Sequence, residues 1–365
     1  MNLLATIQST AAVVFTFGLV IFLHEFGHFL VCRRLGVRVE RFAFGFGPEL
    51  FGVTRGATRY SVCALPLGGF VKPAGEEQDT ATGAPDEYFS QSWIARLKIV
   101  AAGPVMNYVL AFLVFSSLSY LKGIPAPSTE PQIGNMLVGY PADRAGLKVG
   151  DVITTIDGKA VVTWLEMAAI IHRSAGKKID ISYKRGKSVG STVLAPRKDS
   201  ASGEGLIGIL PETLYRKPGL WGSLAQGLRE CWDLTAMTVK TIASKISRGQ
   251  RPDLAGPVGI IQMVRHAAQS GMAQLFNLIG MLSVAIGFFN FLPIPLLDGG
   301  HAVFYLWEGI SGRKPSRAAL AKANGAGIAF LLFILIFATY NDVKRIAKSS
   351  AGRPPSAGQG APQKP

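Results

Sequence analysis

The sequence predicts a polytopic α-helical membrane protein of about four spans, with a β-rich insert on one side of the bilayer and an α+β domain on the other. Three observations carry this expectation. Hydrophobic residues make up 48% of the 365 and charged residues only 17%, the balance of a membrane protein rather than a large soluble one. Four apolar stretches each reach the roughly 20 residues that a bilayer core demands. Between them lie polar segments in which period-two alternation and glycine turns read as short strands.

The spans fall at residues 1–32, 99–121, 272–300 and 323–343. The first lacks a basic leader and an A-x-A-like cleavage site, so it reads as a retained span and not a signal peptide. No Lys or Arg precedes it, whereas Arg33, Arg34, Arg38 and Arg41 follow at once, and Arg96 and Lys98 precede the second span. The positive-inside rule therefore puts the N-terminus outside and residues 33–98 in the cytoplasm. Residues 122–271 are then external, and the 301–322 loop with Arg313, Lys314, Arg317 and Lys322 is internal. The 344–365 tail comes out external and disordered, against the preference of Lys344, Arg345 and Lys348. The net charge of +15 belongs to these flanks. Nucleic acid is excluded as a partner, because there is no aromatic-basic interleaving, zinc-finger spacing or phosphate loop. Cys32, Cys63 and Cys231 are too few and too scattered for a disulfide framework.

Within residues 33–98, Arg41-Phe42-Ala43-Phe44-Gly45-Phe46-Gly47 sets Phe on every second position, and Arg59 to Val71 is a second strand-like run. Such a ribbon suits the membrane interface, although a plain surface hairpin reads the same way. Residues 73–92 read as a flexible loop. The external 122–215 segment opens on Pro125, Pro127 and Pro131, a stiff linker. It continues with strands and glycine turns around a helical patch from Trp164 to His172. In 216–271, Trp221, Leu224, Leu228 and Trp232 recur at roughly helical spacing, which suits interfacial helices or a face packed on the external domain.

The chemistry is concentrated in His24-Glu25-Phe26-Gly27-His28, which closes a run holding no Asp, Glu, Lys or Arg before Glu25. Positions i and i+4 share a helix face, so both imidazoles can reach one ion, with Glu25 close enough to act on a bound water. That is the His-Glu-x-x-His pattern of zinc hydrolases. Against it stands a chance pentapeptide whose histidines merely bond to neighbouring helices. Zinc needs a third protein ligand. Val31 and Arg34 occupy the positions where a metzincin carries Gly and His, and Glu40 and Glu49 lie in the loop beyond the arginines. Asp298 is favoured, because the first and third spans run in the same direction and put it at the depth of His24 and His28. It follows Asn290-Phe291-Leu292-Pro293-Ile294-Pro295, whose prolines cannot continue a helix. Unwound backbone at membrane depth must be buried or line a cavity.

These motifs, with Gly103-Pro104-x-x-Asn107 and Asn290 through Gly300, resemble the site-2 protease family of intramembrane zinc metalloproteases, of the bacterial regulator-of-sigma-E-protease type. The resemblance runs to about Ser349. It implies zinc on His24, His28 and Asp298, with Glu25 as base. Asn290, Asn107 and the stretch with Pro293 and Pro295 are implied to hold substrate backbone. The ribbon is implied to lie by the active site and pair with extended substrate. Residues 133–172 resemble a single PDZ domain, read as a steric screen ahead of a peptide-gripping module. The implied substrate is a single-span membrane protein such as an anti-sigma factor, cut near the cytoplasmic face of the bacterial inner membrane. A catalytically inactive PDZ-containing adaptor is the alternative. A metal transporter would string ligands along several spans, where this chain shows one cluster.

Overall fold

The computed structural model describes residues 3–76, 81–199, 203–249, 256–314 and 316–351. The chain divides into two units, one of residues 1–118 and 220–365, the other of residues 119–219.

The first unit starts with α1 (Leu3–Arg34), then β1 (Val39–Arg55), β2 (Thr58–Pro73) and α2 (Trp93–Lys122). β1 and β2 are long enough to bend back on each other. Phe42 stands opposite Val71 on one side and Tyr60 on the other, and the far half of β1 pairs onward to Arg55–Thr58. The alternating phenylalanines are divided by depth. Phe42 is buried and packs on Phe22 and Phe29 of α1 at ring distances of 5.4 and 5.1 Å, while Phe46, Leu50 and Phe51 are exposed. The apolar ribbon is thus seated on the helix that carries both histidines.

Residues 81–92 depart from the flexible-loop expectation. Glu87 is buried, and its carboxylate accepts from Thr82 N–H and hydroxyl and from Gly83 N–H. Arg38 binds Asp86, and Tyr88 is buried against Tyr305, hydroxyl to hydroxyl at 3.0 Å. A run rich in Gly, Thr and Asp supplied the turn donors for one buried carboxylate. Residues 77–80 of that expected loop lie outside the described residues.

The second unit contains β3 (Ile124–Pro127), β4 (Ile133–Met136), α3 (Pro141–Arg144), β5 (Val152–Ile156), β6 (Lys159–Ala160), α4 (Trp164–Arg173), β7 (Ile179–Arg185), β8 (Ser188–Leu194), β9 (Arg197–Lys198), β10 (Gly205–Leu206), β11 (Ile209–Pro211) and β12 (Thr213–Arg216). Its sheet runs β6-β5-β7-β8, with β4 on β11 and β3 on β12. Ile153, Ile156, Ile179 and Ile181 turn inward into one core with Met167 of α4, a register shift after Ile153 bringing Ile156 to the same face. That helix starts on a capping box, Thr163 with Glu166. The β3–β12 pair carries the unit slightly past the 122–215 bounds read from sequence.

Back in the first unit follow α5 (Leu220–Ser247), α6 (Pro257–Ser270), α7 (Met272–Phe291), α8 (Asp298–Ser311) and α9 (Arg317–Ala351). α5 buries Ser223, Gly227 and Cys231, and Tyr108 of α2 meets Thr235 at 3.0 Å. Among the described residues, four helices are long and apolar enough to cross a membrane: Thr6–Arg34, Trp93–Lys122, Met272–Phe291 and Ala318–Lys344. The third stops well short of residue 300. Leu292 turns extended ahead of Pro293, as a residue before proline must. Small residues let the helices approach closely: a Cβ at Gly27 would stand 2.3 Å from the Ala102 carbonyl of α2, and one at Gly287 3.1 Å from that of Pro104.

Asp342, buried near the end of α9, accepts the Gly259 N–H at the start of α6 at 2.7 Å. It is a helix-start cap supplied from a distant helix, where the dipole favours a carboxylate.

In the second unit, fully buried Asp151 receives two hydrogen bonds from Arg185, both at 2.7 Å, and one from Lys148 N–H. Burial pushes its carboxyl up, but the Arg185 bonds outweigh that and leave it below the ordinary value. The pair therefore stabilises the fold above an unfolded Asp value of about 3.9, and that stability drains away as pH falls through the lower folded value. In the full-length protein, Asp151→Ala should cost about 1–3 kcal/mol in hydrogen-exchange protection of β5 and β7. Asp151→Asn should remove this part of the acid sensitivity.

Candidate metal centre

α1 brings His24 and His28 onto one face, and the imidazoles meet at Nε2, 3.2 Å apart. Asp298, the first residue of α8, closes the set: Oδ2 lies 3.1 Å from His24 Nε2 and Oδ1 3.6 Å from His28 Nε2. All three ligand atoms fall within 4.8 Å of one another. Zinc–nitrogen bonds of about 2.0–2.1 Å set the edge of a zinc tetrahedron near 3.3 Å, and these separations bracket that edge. Oδ2 of Asp298 is buried and makes no hydrogen bond of its own. Lone pairs crowded this closely suit a cation between them. The donor set therefore fits zinc.

The far side of each ring decides whether Nε2 is free to ligate. His28 Nδ1 donates to the Ile99 carbonyl at 2.8 Å, which leaves the Nε2 lone pair pointing at Asp298. His24 Nδ1 lies 3.1 Å from the Asn107 side-chain amide. The nearer amide atom is Nδ2, so a ligating His24 Nε2 would need that amide turned to bring its oxygen to Nδ1, which then donates. Asn107 is wholly buried, and its main-chain carbonyl accepts from the Ser283 hydroxyl of α7 at 2.8 Å. Gly103 clears the space. A Cβ there would stand 2.2 Å from His28 Nε2 and 2.8 Å from His24 Cε1.

The unwound stretch aims the carboxylate. Leu296 adopts φ 79°, a left-handed conformation rarely taken by a branched side chain. The next turn packs back so closely that Cβ atoms at Gly299 and Gly300 would stand 2.2 and 2.3 Å from the Leu292 and Ile294 carbonyls. α8 is anchored further along by a buried ion pair, Arg96 to Glu308 at 2.6 Å, with Arg96 stacked over Tyr305 and Phe89.

Beside the three ligands, Glu25 takes a hydrogen bond from the Val71 N–H of β2. Gly69 lies against it, where a Cβ would be 3.7 Å from the Glu25 side chain. A cavity of about 900 Å³ opens here, its walls including His24, Glu25, His28, Val71, Asn290, Leu296, Asp298, His301 and Asn324. Asn290 is thus in the wall, while its own N–H group bonds back to Ile286. Asn107, Pro293 and Pro295 are not among the lining residues. Asn107 stands behind His24, and the prolines shape the turn from outside the cavity. Glu49 is removed as a ligand by Arg59, Ser61 and Arg41, which pull its carboxyl down to about 2, and Glu40 pairs with Arg38. Gly69, Val71, Arg96 and Asn324 were not assigned from the sequence. Glycines and main-chain donors carry no motif, and Asn324 is a single polar letter in an apolar run.

Residues 12–334 match peptidase family M50. The chain belongs to peptidase family M50. Among M50 relatives, the regulator of sigma-W protease RasP of Bacillus subtilis is 28% identical over 421 residues, covering 93% of this chain and 99% of its own. A Clostridium acetobutylicum protein provisionally named a zinc metalloprotease is 33% identical over 335 residues, covering 90% and 96%. The PDZ domain of an SdrC-like protein from Listeria monocytogenes aligns with 24% of this chain and 90% of its own, at 27% identity and a TM-score of 0.20. The protein is an M50 zinc metalloprotease, and the cluster on α1 and α8 is where the chain offers zinc a ligand set.

Removing the support behind His24 should loosen the metal without touching a ligand. Asn107→Leu is expected to weaken zinc binding by about 10–100-fold in chelator competition. Gly103→Val, which fills the imidazole meeting point, should leave purified protein with almost no zinc by elemental analysis.

Proposed function

We propose that this chain hydrolyses a peptide bond within or near the transmembrane segment of a membrane-tethered regulator, an anti-sigma factor being the leading substrate class. The observation that carries the reading is the convergence of His24, His28 and Asp298 beside Glu25 at one end of a spanning helix. Zinc bound there would lower the pKa of a water and polarise the scissile carbonyl. Glu25 takes the proton from the attacking water and delivers it to the leaving amine, while the Val71 N–H fixes its carboxylate.

A peptide bond inside a helix hides its carbonyl in the i to i+4 ladder, so the substrate must unwind first. The outer edge of β2 is beside Glu25 and offers its main-chain groups, apart from the Val71 N–H that Glu25 holds, to an extended segment by strand addition. Asn290 stands in the cavity wall with a side-chain oxygen available to the same segment. The site would face the cytoplasmic side of a bacterial inner membrane, with residues 119–219 external and screening bulky substrates. The Lys and Arg distribution supports that orientation.

Glu25→Gln should retain about one zinc per chain, yet lose at least 10²–10⁴-fold in cleavage of a co-expressed single-span substrate. Immunoblots of purified membranes check the cleavage, and a folded Glu25→Gln protein that cuts like wild type would remove the assignment.

A further inference from the structure

Asn324 lies in α9, in the fourth apolar span, Ala318–Lys344. A buried polar side chain is costly unless it is satisfied or functional. Its neighbours along the helix are satisfied: Thr339 bonds back to Leu335, and Asp342 caps α6. Asn324 is the exception, for its amide oxygen is buried with no hydrogen-bond partner. It also lines the cavity that contains His24, Glu25, His28 and Asp298, on the face of α9 shared with Leu320 and Ala321. The helix is fixed there by contact. One turn on, a Cβ at Gly327 would stand 2.5 Å from the Pro295 carbonyl, which clamps α9 to the unwound stretch between Asn290 and Asp298.

The cavity therefore has polar main-chain-pairing groups on more than one wall. β2 lines it with Val71, and Asn290 and Asn324 present side-chain amides from α7 and α9. An extended peptide has two polar edges, with N–H and C=O groups projecting alternately to each side. Strand addition on β2 satisfies one edge only. The other edge needs a group that both donates and accepts. A primary amide does both, and Asp or Lys does not.

From this we infer that Asn324 is a substrate-binding residue, whose amide pairs with the main chain of the unwound peptide on the edge that β2 leaves open. The ligand class is extended polypeptide backbone, read without regard to side-chain identity. The inference rests on the protease reading above and adds a fourth helix to the substrate site.

The test uses purified full-length protein in lipid nanodiscs and two probes. One is a peptide hydroxamate long enough to lie extended through the cavity. The other is acetohydroxamate, which can reach a metal but has no peptide main chain. Asn324→Leu keeps nearly the same volume and suits an apolar helix. It should weaken the peptide hydroxamate about three- to tenfold, the loss of one or two neutral hydrogen bonds. Zinc per chain and acetohydroxamate affinity should stay at wild-type levels. N-methylation of the paired amide in the probe should weaken wild type and leave Asn324→Leu unmoved. Equal binding of the peptide hydroxamate by wild type and variant overturns the inference. So does a joint loss of zinc and acetohydroxamate binding, which would make Asn324 a scaffold residue. Wild-type protein that binds neither zinc nor either hydroxamate overturns the protease reading and the inference together.

Discussion

Two imidazole nitrogens 3.2 Å apart, with a carboxylate at 3.1 and 3.6 Å from them, form a tight donor set that a cation among them would hold together. The rest of the helical unit answers that constraint. Each ring has to be turned so that its lone pair points inward, and the groups that turn them come from α2: a main-chain carbonyl at Ile99 and an amide at Asn107. The rings also need room. Gly103 supplies it on the same helix, and a single methyl group there would collide with both imidazoles. α2 contributes no ligand, yet it sets the geometry of two of the three.

The third ligand arrives by a different device. A carboxylate at the start of α8 has to reach down to the histidines, so the chain leaves α7 early, passes through two prolines and re-enters a helix at Asp298. Such a turn exposes main-chain carbonyls, and paired glycines let the new helix cover them at close range. Arg96 and Glu308 hold the far end of α8 to the base of α2. A buried pair is weak evidence for stability but a strong constraint on register. Here that register fixes how far Asp298 projects.

The sequence revealed the parts of this arrangement that depend on chemistry-bearing side chains at regular spacing. His24, Glu25 and His28 follow from helical periodicity, and Asp298 from the directions of two spans. The ends of α7 and α8 follow from Pro293 and Pro295. What stayed hidden depends on close approach. Asn107 is in a motif the sequence displays, but only three-dimensional packing puts it behind His24 and not in the cleft. Pro295 likewise shapes the turn without facing the cavity. The Gly69–Val71 edge acts through main chain, which no residue letter reports. Residues 81–92 have the composition of a loose loop, and a single buried carboxylate, Glu87, organises them.

The pairing of β3 with β12 has a consequence for how this architecture can vary. Those strands bring the start and finish of the 119–219 unit side by side, so about a hundred residues are inserted at what is, for the helical scaffold, a single point. Such a segment behaves as a cassette. It can be duplicated, exchanged or lengthened without altering the spacing between α2 and α5, because only the two adjoining strand ends have to be matched. The inserted unit and the helical scaffold can then diverge at different rates within one polypeptide.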